Sequence, residues 1–492
     1  MSLPTKPHRV DVLLVPRGLG VVRACVLLGL ATTPFTSAVA GDWTFTPRLS
    51  VSETFSDNIG LDPSGQAEHE FVTDVSPGIS LRGTGSRLDV NLIYNLQALH
   101  YARGTDPSQI NHQLQASGTG EVWEDIGFLD VRSTIRQANS AGGARQASST
   151  RSATGTLDDV MTLSVSPYVR KRFGRDAKGE ARYRYATVED SGTSGTTDTH
   201  EFSLNVSSGE RFARVPWSVA ASHREEDDGS GTSSTFQEIT GTLSYKFSRA
   251  YAANASVGYE SNDFTTSRGD TSGLTLSASG TWTPTPRTSV ELGMTDKFSG
   301  NSFFARASHR SRRAVFSLRY GEEVTTSSRL ELEREFIALV DPFGEPILDP
   351  DSGQAIVVPI ETPRFTNEVI VQKRLEGSMA FQGRRTNASV RVFSNDRDFE
   401  ASGASEKVYG ISANASRTLS RATSASLRSS WQRTEPQGGL ESTRWSVGAG
   451  VSRTFSRDLR GSLDVGHTRQ SSDNPADEFT ENRVSLQLSM SF

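Results

Sequence analysis

RVSLQLSMSF, Arg483 to Phe492, alternates with a period of two. Val484, Leu486, Leu488, Met490 and Phe492 fall on one face of an extended chain, and Arg483, Ser485, Gln487, Ser489 and Ser491 on the other. The apolar face runs to the last residue, where chain ends ordinarily fray into water. A strand whose apolar face meets lipid explains that pattern; an amphipathic edge strand of a soluble sheet is the alternative.

The same alternation recurs along the chain. Leu88, Val90, Leu92, Tyr94, Leu96 and Ala98 share a face, as do Tyr251, Ala253, Ala255, Val257 and Tyr259, and Trp445, Val447, Ala449 and Val451. Most such segments run for about ten to fifteen residues. That suits tilted strands crossing a membrane, which need ~9–11 residues, better than soluble strands of ~5–6. Composition agrees. Only 35% of the 492 residues are hydrophobic and mean hydropathy is −0.44, lean for several globular cores but sufficient for one apolar face per strand. Disorder predicts no periodicity and is excluded by it.

Tight breaks punctuate the strands at Thr84–Ser86, Trp123–Asp125, Phe173–Arg175, Phe212–Arg214, Phe247–Arg249, Trp282–Pro284, Ser311–Arg313, Gln382–Arg384, Leu419–Arg421 and Phe455–Arg457. Many read aromatic, small, arginine. Between them lie longer polar loops such as EEDDGSGTSS and RTEPQGGLEST. Short turns on one side and long loops on the other mark outer-membrane barrels, with the aromatics at an interfacial girdle. Ten breaks with both termini on one side predict an all-β, closed, antiparallel transmembrane barrel of about 22 strands, within a range of 20–24.

The N-terminus sets the compartment. Lys6, Arg9, Arg17 and Arg23 precede a short apolar run, Ala24 to Ala31, and Ala38-Val39-Ala40 has the small-x-small form of a cleavage site. Residues 1–40 are expected to be a cleaved signal peptide of the general secretory pathway and 41–492 a single barrel. Removing 1–40 moves the formal charge from −5 to −8 and takes away Cys25, the only cysteine. The mature chain then has no disulfide and no Cys-ligated metal. No basic balance suggests nucleic acid. The eight histidines form no HExxH, and neither a GxSxG elbow nor a P-loop is present. No cofactor, metal or catalytic residue is expected.

One segment breaks the alternation. Residues 327–365 include REFIALVDPFGEPILDPDSGQAIVVPIETPR, apolar in places and proline-bearing. A loop of this length is usually functional or disordered. It is either a plug or constriction in the lumen, or a large surface loop.

PRLSVSETFSDNIGLD (Pro47 to Asp62) resembles the first strand and loop of the PEP-CTERM system-associated outer-membrane proteins, a group among the β-barrel porins. FTNEVIVQKRLEGSMAFQGRRTNASV (Phe365 to Val390), following a Pro-rich insert, is similar to that family's most distinctive stretch. The motif positions are Glu53, Asp57, Asn58, Gln372, Arg374, Gly383 and Arg384. The resemblance implies an outer-membrane barrel in exopolysaccharide-making bacteria that sort proteins by an exosortase, and no catalytic role. Phe492 carries the pattern associated with recognition by the barrel-assembly machinery.

With the apolar face in lipid, the opposite residues line the bore. Arg132, Arg136, Arg182, Arg184, Arg319, Arg374 and Arg428 are the leading lumen candidates, and inward arginines are expected to outnumber inward acids. They either guide an acidic polysaccharide or other anionic solute, or pair across strands and keep the bore solvated. Three functions follow: passage or export of exopolysaccharide, with export or exosortase-linked partners; a surface scaffold anchoring matrix or sorted proteins; and, least supported, a rim hydrolase.

Overall fold

The computed structural model describes residues 41–139, 147, 149–192, 195–229, 231–266, 270–334, 366 and 368–492. The signal segment 1–40 and most of the 327–365 insert lie outside the described residues. Twenty-two strands follow one another around a single antiparallel sheet. They are β1 (Gly41–Ser56), β2 (Glu70–Gly85), β3 (Leu88–Tyr101), β4 (Gln109–Trp123), β5 (Gly127–Asn139), β6 (Leu157–Phe173) and β7 (Ala177–Asp190). Next come β8 (Gly195–Ser208), β9 (Trp217–Asp227), β10 (Ser233–Lys246), β11 (Tyr251–Asp263), β12 (Ser272–Thr285), β13 (Thr288–Lys297) and β14 (Gly300–Arg310). The circuit ends with β15 (Ala314–Thr326), β16 (Val369–Gln382), β17 (Thr386–Phe399), β18 (Ser405–Thr418), β19 (Thr423–Pro436), β20 (Ser442–Thr454), β21 (Leu459–Ser472) and β22 (Phe479–Ser491). A helix, α1 (Ser327–Arg334), follows β15.

The sheet closes because β1 pairs with β22 as well as with β2, from Arg48↔Ser491 to Ser56↔Arg483. The backbone N–H of Phe492 adds a bond to the Pro47 carbonyl at 3.0 Å. Closure satisfies the edge groups that a bilayer leaves unsolvated, which is why a membrane admits barrels and not open sheets. Gly41 and Phe492 share a rim with the ten short turns. At one of these turns Gly174 has φ +58, a left-handed conformation that a side chain disfavours, while Asp176 N–H bonds back to the Phe173 carbonyl at 3.2 Å. One break sits elsewhere than expected. Trp282–Pro284 lies inside β12, and the chain turns at Thr285↔Thr288 after a register shift. A proline next to such an irregularity has no ladder partner to lose.

The alternation decides which face is bare. Val257, Leu276, Leu427, Leu463, Leu486 and Leu488 are all exposed on the outside. Around the short-turn rim stand Phe45, Phe247, Phe455 and Phe492, each exposed by 60% or more. Withdrawing one such side chain from water is worth ~1.5–3 kcal/mol, so a continuous belt of them requires lipid. The chain is an outer-membrane-type β-barrel. Among the described residues no helix is long and apolar enough to cross a membrane.

The inner face is asymmetric. Near the long-loop rim it is buried: Ser52, Thr54 and Ser56 on β1, Val72 and Asp74 on β2, Gln97, Leu99 and Tyr101 on β3. On the same strands, Arg82 and Asp89 near the short-turn rim are exposed. Among the described residues the bore is covered at the long-loop end and uncovered at the short-turn end.

Candidate functional site

Among the described residues, two segments fold inward from the long-loop rim and cover it. The first, between β5 and β6, lies against β1, β2, β3 and β22. Arg151 donates from Nη2 and Nε to Asp74 Oδ2 at 2.6 and 3.0 Å, and from Nη2 to Ser52 Oγ at 3.1 Å. Asp74 is almost fully buried and also accepts Gln97 Nε2 at 2.8 Å. Tyr101 donates its hydroxyl to the Arg151 carbonyl at 3.2 Å, and Ala153 N–H bonds to the Ile59 carbonyl at 2.9 Å. Ala153 packs on a small cluster of Ile59, Val72, Leu99 and Tyr101. Arg483 completes the contact, donating to Ser152 Oγ at 3.2 Å and to Glu481 Oε1 at 2.6 Å.

The second segment is α1. It leaves β15 yet touches strands far around the circuit. Arg136 Nε on β5 donates to Glu331 Oε1 at 2.7 Å, and Leu332 packs on Ala138, Val160 and Val188 of β5, β6 and β7. Ser328 Oγ donates to Glu226 Oε2 on β9 at 3.2 Å. A third link joins two loops, Thr266 Oγ1 donating to Glu400 Oε2 at 2.6 Å. Both inward segments are thus fixed mainly by polar contacts, each with only a small apolar cluster beneath it.

Below the cover the wall is a network of opposite charges. Arg182 donates to Asp130 at 2.8 Å and to Glu180 at 3.2 Å, and lies 3.8 Å above the Tyr168 ring. Arg184 meets Glu201 at 3.3 Å, Arg374 meets Glu376 at 2.9 Å, and Arg428 meets Asp464 at 2.8 Å. Arg391 shares Glu376 at 3.0 Å, and Arg397 meets Glu406 at 3.1 Å. Arg319 stands in register between Arg306 and Glu376. Arg132 lies four residues from Arg136 on the same face of β5. Glu201, Glu226, Glu260, Glu406 and Glu481 also lie on the inner face by register, and they meet Arg184, Arg224, Lys297, Arg397 and Arg483.

The motif positions do not converge on one site. Asn58 is buried and ties the first loop. Its Nδ2 donates to the Asp62 and Thr480 carbonyls at 2.7 and 3.1 Å, and its Oδ1 accepts Asp62 N–H at 2.8 Å. Asp57 accepts two bonds from Asn482, both at 2.7 Å. These contacts join the first loop to β22. Asn58→Ala removes three hydrogen bonds near the barrel's closing seam. It is expected to cost ~1–3 kcal/mol, read as a lower urea midpoint for the lipid-refolded barrel. Glu53 is on the outer face, accepting Thr73 Oγ1 at 2.8 Å. Gln372 is buried, donating to Asn395 Oδ1 at 3.5 Å. Gly383 and Arg384 form a short turn, with Gly383 N–H on the Thr386 carbonyl at 2.7 Å.

Arg151 and Glu331 were missed as site residues. One signal was present: AGGARQASSTRSATGT (141–156) holds two arginines and no acid, unlike the acidic loops around it. Among the described residues no cluster of His, Cys, Asp and Glu could hold a metal ion.

Neither protein-family models nor curated proteins match the chain. Solved structures similar to it in part include siderophore receptors and an outer membrane protein. The siderophore receptor PirA from Acinetobacter baumannii matches at 10% identity and TM-score 0.49, over 91% of this chain and 80% of that one. The ferric enterobactin receptor PfeA from Pseudomonas aeruginosa matches at 11% and 0.48 over the same shares. OmpT, an outer membrane protein of Vibrio cholerae, matches at 10% and 0.35, over 92% of this chain and 100% of that one. At these identities and scores the likeness says nothing of what this chain binds or moves.

Proposed function

We propose that the barrel is an outer-membrane conduit for a hydroxyl-rich polymer, an exopolysaccharide chain, held shut at its long-loop rim by residues 149–156 and α1. The observation that carries this reading is the asymmetric bore. Among the described residues it is polar and uncovered below, and covered above by segments fixed through Arg151–Asp74 and Arg136–Glu331. A wall filled permanently would bury apolar side chains against one another; a cover fixed by ion pairs at a wet rim opens when those pairs exchange for water.

The matched charges refine the solute. A wall with donors and acceptors side by side suits a chain of hydroxyls, which do both, and gives little preference for anions. The resemblance at Pro47–Asp62 and Phe365–Val390 supports a place in an exosortase-bearing, exopolysaccharide-making cell, and Phe492 supports handling by the barrel-assembly machinery.

Planar-bilayer conductance of Gly41–Phe492 tests the reading. The closed barrel is expected to pass little current, and deletion of residues 149–156 to give large openings with weak ion selectivity. A barrel that inserts, shows heat-modifiable migration and stays silent after the deletion would favour a scaffold role instead.

A further inference from the structure

The wall is not zipped throughout. β14 pairs with β15 only between Ala305↔Tyr320 and Arg310↔Val315. Above that level β14 keeps its other neighbour as far as Lys297↔Gly300, and β15 keeps β16 as far as Thr326↔Val369. Among the described residues no backbone pairing joins 300–304 to 321–326. Each edge therefore carries backbone donors and acceptors with no ladder partner, which a protein covers or fills.

The gap is a built space. A cavity of about 120 Å³ lies in it, lined by Lys297, Asn301, Ser302, Glu322, Glu323 and Lys373, with two valines as its floor. A water needs ~10–15 Å³, so the space takes several waters, or a sugar ring with its hydroxyls. The end of β16, Val369 to Gln372, is buried on both faces. The height is set by the belt. On β15 the outward residues run Phe316, Leu318, Tyr320 and then Glu322, and on β16 Leu375 is followed upward by Lys373. The slot begins where the apolar belt ends.

We propose that this slot binds a saccharide chain laid between the free edges of β14 and β15. Cations, carboxylates, an amide and a hydroxyl line it together with backbone N–H and C=O groups, and sugar hydroxyls satisfy all of these at once. A peptide strand added to the edge would need pockets for alternate side chains, and the slot offers only a small apolar floor. The ligand class rests on the conduit reading above; the slot adds a side station where the chain meets the outer-leaflet headgroup level.

Extending the register places Ser302 opposite Glu323. The double variant Ser302→Cys/Glu323→Cys, oxidised, zips the seam, and Asn301→Trp fills the same space without oxidation. Maltohexaose and a polygalacturonate oligomer are titrated by calorimetry into the full barrel in micelles, with heat-modifiable migration as the folding control. Binding of at least one probe is expected, weakened tenfold or more in both variants and restored by reducing the first. Equal affinity in the folded variants, no binding of either probe to the unmodified barrel, or capture of an extended peptide instead overturns the proposal. Conductance of the 149–156 deletion is read in parallel. A silent barrel with slot binding intact defeats the conduit alone; a conducting barrel whose binding ignores the lock defeats the slot alone.

Discussion

Asp74→Ala is expected to open the barrel. Asp74 accepts two bonds from Arg151 and one from Gln97, at a position only 2% exposed. Removing one partner of a buried ion pair costs ~3–5 kcal/mol, because the other charge is left uncompensated. In a rigid core that cost would unfold the protein. Here Arg151 sits on a loop at the rim and can carry its guanidinium back to water. The cost then falls on the closed state of the loop and not on the barrel. Every 1.4 kcal/mol is about tenfold in population, so an apparently shut channel becomes one open for a measurable fraction of the time. Single-channel recording should show open probability rising at least tenfold while the urea midpoint moves little. Arg151→Ala should open the channel similarly, and the double variant should add little to either, since both substitutions remove one interaction. Asp89→Ala, inward but exposed near the other rim, should leave the recording unchanged. If Asp74→Ala lowers the midpoint and leaves the channel silent, the Arg151 contact is architectural and the bore is closed by something else.

Most of the wall was legible in the sequence because a membrane strand repeats one local rule. Its outward residues must suit lipid and its inward ones water, so a period of two exposes both faces at once, as in Arg483–Phe492. The turns were legible where an aromatic, a small residue and an arginine fell together, and misplaced at Trp282–Pro284. There proline reads as a break, but the strand continues through an irregularity to Thr285. What hid the cover is distance along the chain. Arg151 and Asp74 are 77 residues apart, and Arg136 and Glu331 are 195 apart; no periodicity couples such positions. The charge network hid for a related reason. Glu201 and Glu406 alternate correctly, but their partners Arg184 and Arg397 sit on the neighbouring strand. Counting one strand at a time shows which charges point inward but not which of them meet. The β14–β15 gap left no mark, since its edges alternate like any other strand and only the pairing register shows that they part.

Ala255→Arg and Ser277→Arg put the same side chain at nearly the same height on opposite faces, and their costs are expected to differ sharply. Ala255 pairs with Leu243 and Ala278, midway between the outward rings of Tyr251 and Tyr259. Arginine at the bilayer midplane of a barrel's lipid face costs ~2–4 kcal/mol. No snorkelling helps from the centre, because both interfaces are equally far. Ser277, one residue before Ala278 on β12, points into the bore beside Ser256. There the guanidinium stays in water among polar groups, and a substitution of that kind falls within about 0.5 kcal/mol. Urea unfolding of the two variants in lipid vesicles should separate their midpoints by most of that difference, with Ser277→Arg close to the unmodified barrel. Equal losses would mean that both faces are apolar in effect and the bore is packed. A larger loss for Ser277→Arg would invert the assignment of inside and outside for the whole circuit. The register ties every strand to its neighbours, so one inverted pair carries the other twenty strands with it.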